Sequence, residues 1–145
     1  MLFRSLDEAY IEFAPDGTAP AIDVSRPNVI RYRTFSKAYG MAGARVAYVL
    51  AEAEVAKSFD KIRNHFSVNR IAQAGALAAL ADQDYLRQVK QQVVAARASI
   101  GEIARANGLL PLPSATNFVA IDCRRDGAFA KRVLDGLIEI GRAHV

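Results

Sequence analysis

The stretch Arg33–Tyr48, RTFSKAYGMAGARVAY, places one lysine among small side chains. The small residues around Lys37 are Ser36, Ala38, Gly40, Ala42 and Gly43, and they leave space for a planar ligand at the lysine amine. Thr34 precedes the lysine and Arg45 follows it. A hydroxyl, an amine and a guanidinium on one loop suit a cofactor with an aldehyde at one end and a phosphate at the other. The stretch therefore predicts a covalent cofactor site at Lys37.

The runs on either side of this lysine predict strands. Val29–Tyr32 (VIRY) is rich in β-prone residues, and Val46–Leu50 (VAYVL) is apolar. We therefore predict a strand, a functional loop with a short helix over Arg33–Gly43, and a second strand. Upstream, Asp7–Phe13 (DEAYIEF) alternates in polarity and predicts a strand end, and the proline-rich Ala14–Pro27 predicts a loop.

Asp7 and Tyr10 lie three residues apart in DEAY, at this predicted strand end. From there they could address neighbouring atoms of one ligand ring. A carboxylate beside a pyridine nitrogen keeps it protonated, so that the ring accepts electrons, and a phenol beside the ring oxygen tunes a Schiff base. Taken alone, each residue has an ordinary alternative: a turn for Asp7, a core edge for Tyr10, and solvated surface for Lys37 and Arg45.

Four helices are predicted further along the chain from the spacing of their apolar residues. They cover Ala53–Ile62, Asn69–Ala81, about Asp84–Asn107, and Gly127–Ile138. The second is rich in alanine, which allows a neighbour to approach closely, so we expect it to be buried. Asn117–Asp122 (NFVAID) predicts one more strand. The order of elements indicates an α/β fold in which the last strand and helix begin a second, smaller domain.

The composition is typical of a soluble globular protein. The chain has 145 residues, of which 52% are hydrophobic and 23% charged, without a biased tract. The net charge of +4 comes from lysines and arginines spread along the chain, so we expect no nucleic-acid binding. No apolar run approaches the roughly 18 residues of a membrane-spanning helix. The single Cys123 excludes an internal disulfide, which fits the cytoplasm. We expect no metal site and no membrane partner.

Both ends of the chain can be interpreted as products of a sequencing adapter. Leu2–Ser5 (LFRS) is encoded by CTC TTC CGA TCT, the end of a widely used adapter. Ile140–Val145 (IGRAHV) is encoded by ATC GGA AGA GCA CAC GTC, from the reverse complement of the same adapter. We therefore expect residues 1–5 and 139–145 to be adapter-derived, and His144 to have no functional role. Natural short termini are the alternative, and the underlying nucleotide record decides between the two.

These features together resemble the class I and II aminotransferases, and most of all the histidinol-phosphate aminotransferases and their close relatives. The matching strings are DEAYIEF, RTFSKAYGMAGARVAY, FSVNRIAQAGALAAL and SATNFVAID. The resemblance implies fold type I of the enzymes that depend on pyridoxal 5'-phosphate. It implies the end of a three-layer α/β large domain over residues 6–83, a long connecting helix over 84–107, and the start of the small C-terminal domain over 108–138.

The resemblance also implies a role for each candidate residue. Lys37 would form the Schiff base with pyridoxal phosphate and act as general base, while Asp7 would hold the pyridine nitrogen and Tyr10 would bond the ring hydroxyl. The residues that would hold the phosphate are Thr34, Ser36 and Arg45. The implied substrates are an amino acid or an amino phosphate together with a 2-oxo acid, and the intact enzyme would be a homodimer.

Other interpretations stay open. An aromatic aminotransferase or a threonine-phosphate decarboxylase would share the same scaffold. The chain could instead be a non-catalytic binding module, or an inactive sequencing fragment. The resemblance places most of the parallel sheet before Leu6 and the arginine that pairs with the substrate carboxylate after Ile138. We therefore expect the 145-residue chain by itself to be inactive.

Overall fold

The computed structural model of the protein describes residues 3–142. Met1, Leu2 and Ala143–Val145 lie outside the described residues, and with them His144 and part of each segment that we expect to be adapter-derived. The described chain forms two compact units. The first contains the residues up to Val94 together with Ala115–Asn117, and the second contains Ala95–Ser114 and the residues from Phe118 onward.

A three-stranded sheet is the centre of the first unit. Its strands are β1 (Arg4–Asp7), β2 (Val29–Thr34) and β3 (Ala47–Leu50), in the order β1-β2-β3. β1 is parallel to β2, and β3 is antiparallel to β2. The strands predicted at Val29–Tyr32 and Val46–Leu50 are therefore confirmed as β2 and β3. β2 extends to Thr34, so that it ends three residues before Lys37.

Three helices follow the sheet, namely α1 (Ala53–Ser58), α2 (Arg70–Ala81) and α3 (Gln83–Ala106). Two clusters of buried residues form the core of the first unit. One consists of Phe35, Val46, Ala72 and Ala76, and the other of Phe13, Ala38 and Leu86. Tyr39 packs against both clusters, so the segment after Lys37 is tied to both.

The second unit contains a small antiparallel pair of strands, β4 (Leu110–Pro111) and β5 (Ile121–Asp122), and the helix α4 (Gly127–Arg142). The end of α3 is terminated at Gly108, whose φ of +72° fits the left-handed conformation that ends many helices. This agrees with the predicted end of the helix at about Asn107. Among the described residues, no helix is both long and apolar enough to cross a membrane.

Several boundaries differ from the sequence prediction for identifiable reasons. The strand expected at Asp7–Phe13 ends at Asp7, because the Asp7 carboxylate accepts a hydrogen bond from the Ala9 N–H and starts a turn. A short 3-10 helix, Ile11–Phe13, follows. The strand expected over Asn117–Asp122 is reduced to two residues, since the facing segment contains two prolines that cannot donate to a ladder.

Three helices also differ from the prediction. α1 ends at Ser58 and is followed by a 3-10 helix, Phe59–Lys61, where one helix to Ile62 was expected. α4 continues past Ile138 to Arg142, because residues 139–142 contain no proline and the single Gly141 lies in the last turn, where its cost is small. α2 is not buried as expected: Ala72 and Ala76 are covered, but Ile71 is 86% exposed and Leu77 71% exposed. Ala72 and Ala76 pack against Phe35 and Val46, whereas Ile71 and Leu77 lie on the exposed side of the helix.

Candidate cofactor site

The sheet places Asp7 and Thr34 on one face. Asp7 is paired with Tyr32 across the parallel ladder, and Thr34 is paired with Ala47 on β3. Because side chains alternate between the two faces of a sheet, Tyr32 and Thr34 lie on the same face, and Asp7 shares that face with Tyr32. Two predicted cofactor residues from different strands therefore point to the same side.

The loop that carries Lys37 is anchored by buried residues on both sides. Phe35 is 3% exposed and Ala38 is 1% exposed, whereas Lys37 between them is half-buried. The Gly40 N–H donates to the Lys37 carbonyl at 3.0 Å, and the Met41 N–H donates to the Phe35 carbonyl at 2.9 Å. Gly40 has a φ of +67°, which a side chain would strain. The tight loop fixes the backbone from which the lysine side chain extends.

The Lys37 amine and the Tyr10 ring come together. The lysine Nζ lies 5.3 Å from the centroid of the tyrosine ring, within the range of a cation–π contact. The turn that positions Tyr10 begins at Asp7, whose Oδ1 accepts from the Ala9 N–H at 3.0 Å. The structure thus brings together two residues that the sequence analysis selected from separate motifs.

The three predicted phosphate-binding residues lie on the same connection, but in different environments. Thr34 Oγ1 accepts a hydrogen bond from the Ser36 N–H at 3.1 Å. Arg45 is exposed, has a left-handed φ of 53°, and donates from Nη1 to the Ala42 carbonyl at 2.9 Å. Within residues 3–142, no hydrogen bond joins Arg45 to Lys37. Thr34 and Ser36 are thus brought together, whereas the Arg45 guanidinium is held by its own loop.

A cavity of about 410 Å³ lies beside this constellation. Asp7 and Tyr10 line it together with Ser5, Leu6 and Thr116. The other predicted residues, Thr34, Ser36, Lys37 and Arg45, are not part of its lining. The cavity therefore adjoins the Asp7 and Tyr10 end of the site rather than the lysine end.

A buried ionic cluster occupies the opposite face of the sheet from Asp7. Glu8 is 6% exposed and Arg31 is 4% exposed. Glu8 Oε1 accepts from Arg31 Nε at 2.7 Å, and Glu8 Oε2 accepts from Arg33 Nε at 2.9 Å. Burial by itself would raise the pKa of the Glu8 carboxyl, but the hydrogen bonds and charges of the two arginines outweigh it, and the pKa lies below its ordinary value.

A second carboxyl, that of Glu12, has the opposite character. Burial raises the pKa of Glu12 above its ordinary value, and its Oε2 is buried without a hydrogen-bond partner among the described residues. The pKa of Tyr39 is raised by burial and also by the charge of Glu12. Two carboxyls four residues apart are therefore held in different protonation environments.

Glu8, Glu12 and the two arginines were not predicted as site residues from the sequence. A partial signal for the ionic cluster was present, because Arg31 lies in the predicted strand Val29–Tyr32, and Arg33 shares its face once the strand continues past Tyr32, as β2 does. Two arginines on a half-buried strand need an acidic partner. No comparable signal existed for Glu12, whose charged neighbours in the fold, Arg33 and Lys90, are distant in the sequence.

The match to a protein-family model decides the family. Residues 4–141 match the model described as Aminotransferase class I and II. This chain belongs to the class I and II aminotransferases. The resemblance noted in the sequence motifs is therefore confirmed, and it extends over nearly all of the described residues of this aminotransferase chain.

Individual relatives agree with this assignment. Histidinol-phosphate aminotransferase 2 of Pseudomonas aeruginosa is 44% identical over 124 residues, which is 83% of this chain and 34% of the relative. An aromatic amino acid aminotransferase of Mycobacterium marinum is 36% identical over 144 residues, 97% of this chain and 38% of the relative. The chain thus spans about a third of the length of these curated relatives.

A solved structure confirms the predicted fold class. The crystal structure of histidinol-phosphate aminotransferase from Sinorhizobium meliloti in complex with pyridoxal-5'-phosphate matches with a TM-score of 0.90 and 54% identity. The match covers 94% of this chain and 38% of that chain. The aminotransferase chain is therefore an α/β part of the fold type I architecture, and the cofactor expected from its motifs is the one bound by that enzyme.

Proposed function

We propose that this chain is part of a longer aminotransferase, the parent protein, that uses pyridoxal 5'-phosphate on Lys37 and acts on histidinol phosphate or a similar amine. The observation that carries the proposal is the approach of the Lys37 amine to the Tyr10 ring, 5.3 Å from its centroid. An amine held beside a phenol at the end of a sheet suits covalent attachment of an aromatic aldehyde.

The surrounding side chains fit this cofactor in chemical type. Asp7 supplies a carboxylate on the face of the sheet that it shares with Thr34. Thr34, Ser36 and Arg45 supply two hydroxyls and a guanidinium, which are suitable groups for a phosphate. When bound, pyridoxal phosphate supplies an aldehyde that condenses with amines and a ring that accepts electrons.

Each residue then has a defined task. Asp7 holds a proton on the ring nitrogen, and Tyr10 orients the ring through its hydroxyl oxygen. Thr34, Ser36 and Arg45 bind the phosphate and fix the position of the cofactor. Lys37 would hold the cofactor through its amine, and the same amine, once the substrate amine has displaced it, would move the proton of the substrate α-carbon. General acid–base transfer of this kind contributes about a hundredfold to ten-thousandfold to the rate.

The substrate and the assembly are the finer parts of the proposal. We propose an amino acid or amino phosphate as the donor, a 2-oxo acid as the acceptor, a homodimer as the active form and the cytoplasm as its location. We also propose that residues 6–83 belong to the large domain, 84–107 to the connecting helix and 108–138 to the small domain. The similarity to the aromatic amino acid aminotransferase of M. marinum supports an aromatic amino acid as the alternative donor.

The test uses the parent protein expressed from its complete gene. After addition of pyridoxal phosphate and reduction with borohydride, peptide mapping should find the cofactor on Lys37. Lys37→Ala should abolish this attachment and lower kcat by about a thousandfold, since both the attachment point and the base are lost. Lys57→Ala is the matched control, because Lys57 is exposed and its ion pair within the described part of the chain is with the exposed Glu54.

Two outcomes would contradict the proposal. One is attachment of the cofactor to another lysine, and the other is the absence of any attachment in a folded protein. Rates measured with histidinol phosphate and with aromatic amino acids, each with 2-oxoglutarate, would then decide the donor. A higher kcat/KM for the aromatic amino acids would replace histidinol phosphate by the alternative donor.

A further inference from the structure

Glu8 is held more firmly than its position next to a loop requires. Its carboxylate is contacted by Arg31 Nη2 at 2.6 Å, in addition to the contacts with Arg31 Nε and Arg33 Nε. Arg31 is held in turn by the Ala21 carbonyl, to which its Nη1 donates at 3.1 Å. Both oxygens of one carboxylate are therefore occupied by guanidinium groups of the neighbouring strand.

This cluster also fixes the backbone next to Asp7. The Glu8 N–H donates to the Tyr32 carbonyl at 2.9 Å, which continues the β1–β2 ladder by one residue. Because successive side chains on a strand point to opposite faces, a Glu8 side chain held on one face commits Asp7 to the other face. The Ala9 N–H then bonds to the Asp7 carboxylate, so residues 7–9 are restrained on both sides of the sheet.

The stability of the fold alone does not require such a cluster. Replacing a buried ion pair by apolar side chains of similar volume is often neutral or stabilising, whereas removing one partner leaves a buried charge without compensation. A charged cluster differs from an apolar contact in directionality, because a guanidinium fork fixes the geometry of the carboxylate that it binds. The charged cluster is therefore suited to fixing Glu8 in a position from which the neighbouring Asp7 is oriented.

We propose that Glu8, held by Arg31 and Arg33, is a positioning residue that orients the Asp7 carboxylate toward the ring of the bound cofactor. The inference rests on the proposed function, in which Asp7 contacts the ring nitrogen. It adds that the direction of Asp7 is set from the opposite face of the sheet. Glu8 itself does not touch the cofactor.

A double-mutant cycle in the parent protein tests this inference. Glu8→Gln keeps the side-chain volume but removes the charge, and it should raise the Kd for pyridoxal phosphate about tenfold, or about 1.4 kcal/mol. In an Asp7→Asn background the same substitution should change the Kd by less than about twofold, because the group that Glu8 orients is already altered. Glu54→Gln, which removes an exposed partner of Lys57, should leave the Kd unchanged.

A second readout does not need the cofactor. In the protein without pyridoxal phosphate, hydrogen exchange of a peptide covering residues 5–13 should become faster in Glu8→Gln and stay unchanged in Glu54→Gln. Arg33→Lys provides the second variant if Glu8→Gln does not fold, because it keeps the charge and removes the Nε–H that donates to Glu8 Oε2. Arg33→Lys should also raise the Kd for pyridoxal phosphate, and this increase should largely disappear in the Asp7→Asn background.

The outcomes separate this inference from the proposed function. An equal change in Kd with and without Asp7→Asn, for both the Glu8 and the Arg33 variants, would overturn the positioning role while Lys37 still carries the cofactor. Unchanged hydrogen exchange in residues 5–13 would also overturn it. Failure of the unsubstituted protein to attach the cofactor to Lys37 would instead overturn the proposed function.

Discussion

Glu8 and Glu12 lie four residues apart and illustrate how position in the fold determines the chemistry of one residue type. The pKa of Glu8 is lowered because two arginines outweigh the effect of burial. The pKa of Glu12 is raised because burial dominates and its Oε2 has no hydrogen-bond partner within residues 3–142. Ionisation of Glu8 therefore stabilises the fold, whereas ionisation of Glu12 opposes it.

This difference gives a prediction at the residue scale for the stability of the parent protein. The folded-state pKa of Glu12 lies above its ordinary value of 4.5, so its contribution to stability is present below that value and is lost as the pH rises through the folded-state pKa. Glu12→Gln should therefore stabilise the protein by about 1 kcal/mol at pH 8. At pH 4 the variant and the original protein should be equal.

Urea unfolding at the two pH values measures this effect. Glu54→Gln serves as the control, because Glu54 is exposed and should change little at either pH. A Glu12→Gln variant that is less stable at pH 8 would mean that Glu12 has a favourable partner in the folded parent protein.

At the scale of elements, helix α2 depends on a polar cap as well as on its alanine-rich face. The Asn69 side chain accepts a hydrogen bond from the Ala72 N–H at 2.7 Å, which satisfies one of the amides at the start of the helix. The helix then presents Ala72 and Ala76 to the cluster around Phe35. The cap therefore supports the packing beneath the loop that carries Lys37.

Removal of this cap should be measurable. Asn69→Ala should lower the free energy of unfolding of the parent protein by about 1 kcal/mol, because an amide at the helix start loses its partner. Asn69→Ser is the matched variant, since serine also caps helices well. Equal unfolding midpoints for all three proteins would show that the hydrogen bond does not contribute to stability.

The elements also show which features could be predicted from sequence. The periodicity of apolar residues was sufficient for β2, β3 and the long helices. It failed for Asn117–Asp122, where the composition favours a strand but the prolines of the facing segment limit the pairing to two residues. A strand forms only to the length that its partner allows, and a single stretch of sequence does not contain that information.

The residues of the candidate site also fall into two groups, those that could be predicted from sequence and those that could not. Lys37, Tyr10 and their neighbours were predicted because each motif is continuous in sequence. The cluster around Glu8 was missed because its arginine partners lie 23 and 25 residues away and meet it only across the ladder. Burial of Glu12 likewise depends on tertiary contacts. Local chemistry can be predicted from motifs, but pairing between strands requires the fold.

At the scale of the molecule, the described chain exposes many large apolar side chains. Phe66 is 94% exposed, Ile71 86%, Ile62 81% and Leu77 71%. Exposed apolar groups that lie close together are a frequent cause of aggregation in soluble proteins. Together with the chain's coverage of only about a third of its relatives, this exposure predicts poor solubility of the chain when it is expressed alone.

The prediction can be checked by size-exclusion chromatography with light scattering. The 145-residue chain should elute mainly as aggregates, and the double variant Ile71→Gln, Leu77→Gln should increase the monomeric fraction several-fold by reducing the exposed apolar surface. Leu86→Gln is the control, because Leu86 is buried and its replacement should make aggregation worse. A chain that is monomeric without substitution would contradict the prediction.

Strand β1 has a consequence for how this chain tolerates substitutions. Arg4 and Ser5 are exposed, and their strand is joined to β2 by main-chain pairing, including the Arg4 N–H bonded to the Asn28 carbonyl at 2.8 Å. Hydrogen bonds of this type do not depend on side-chain identity. Substitutions at positions 4 and 5, which we expect to be adapter-derived, should therefore be tolerated, whereas substitutions at positions 7 and 8 should be among the least tolerated. In saturation mutagenesis, the mean harmful effect of a substitution should rise abruptly between positions 5 and 7.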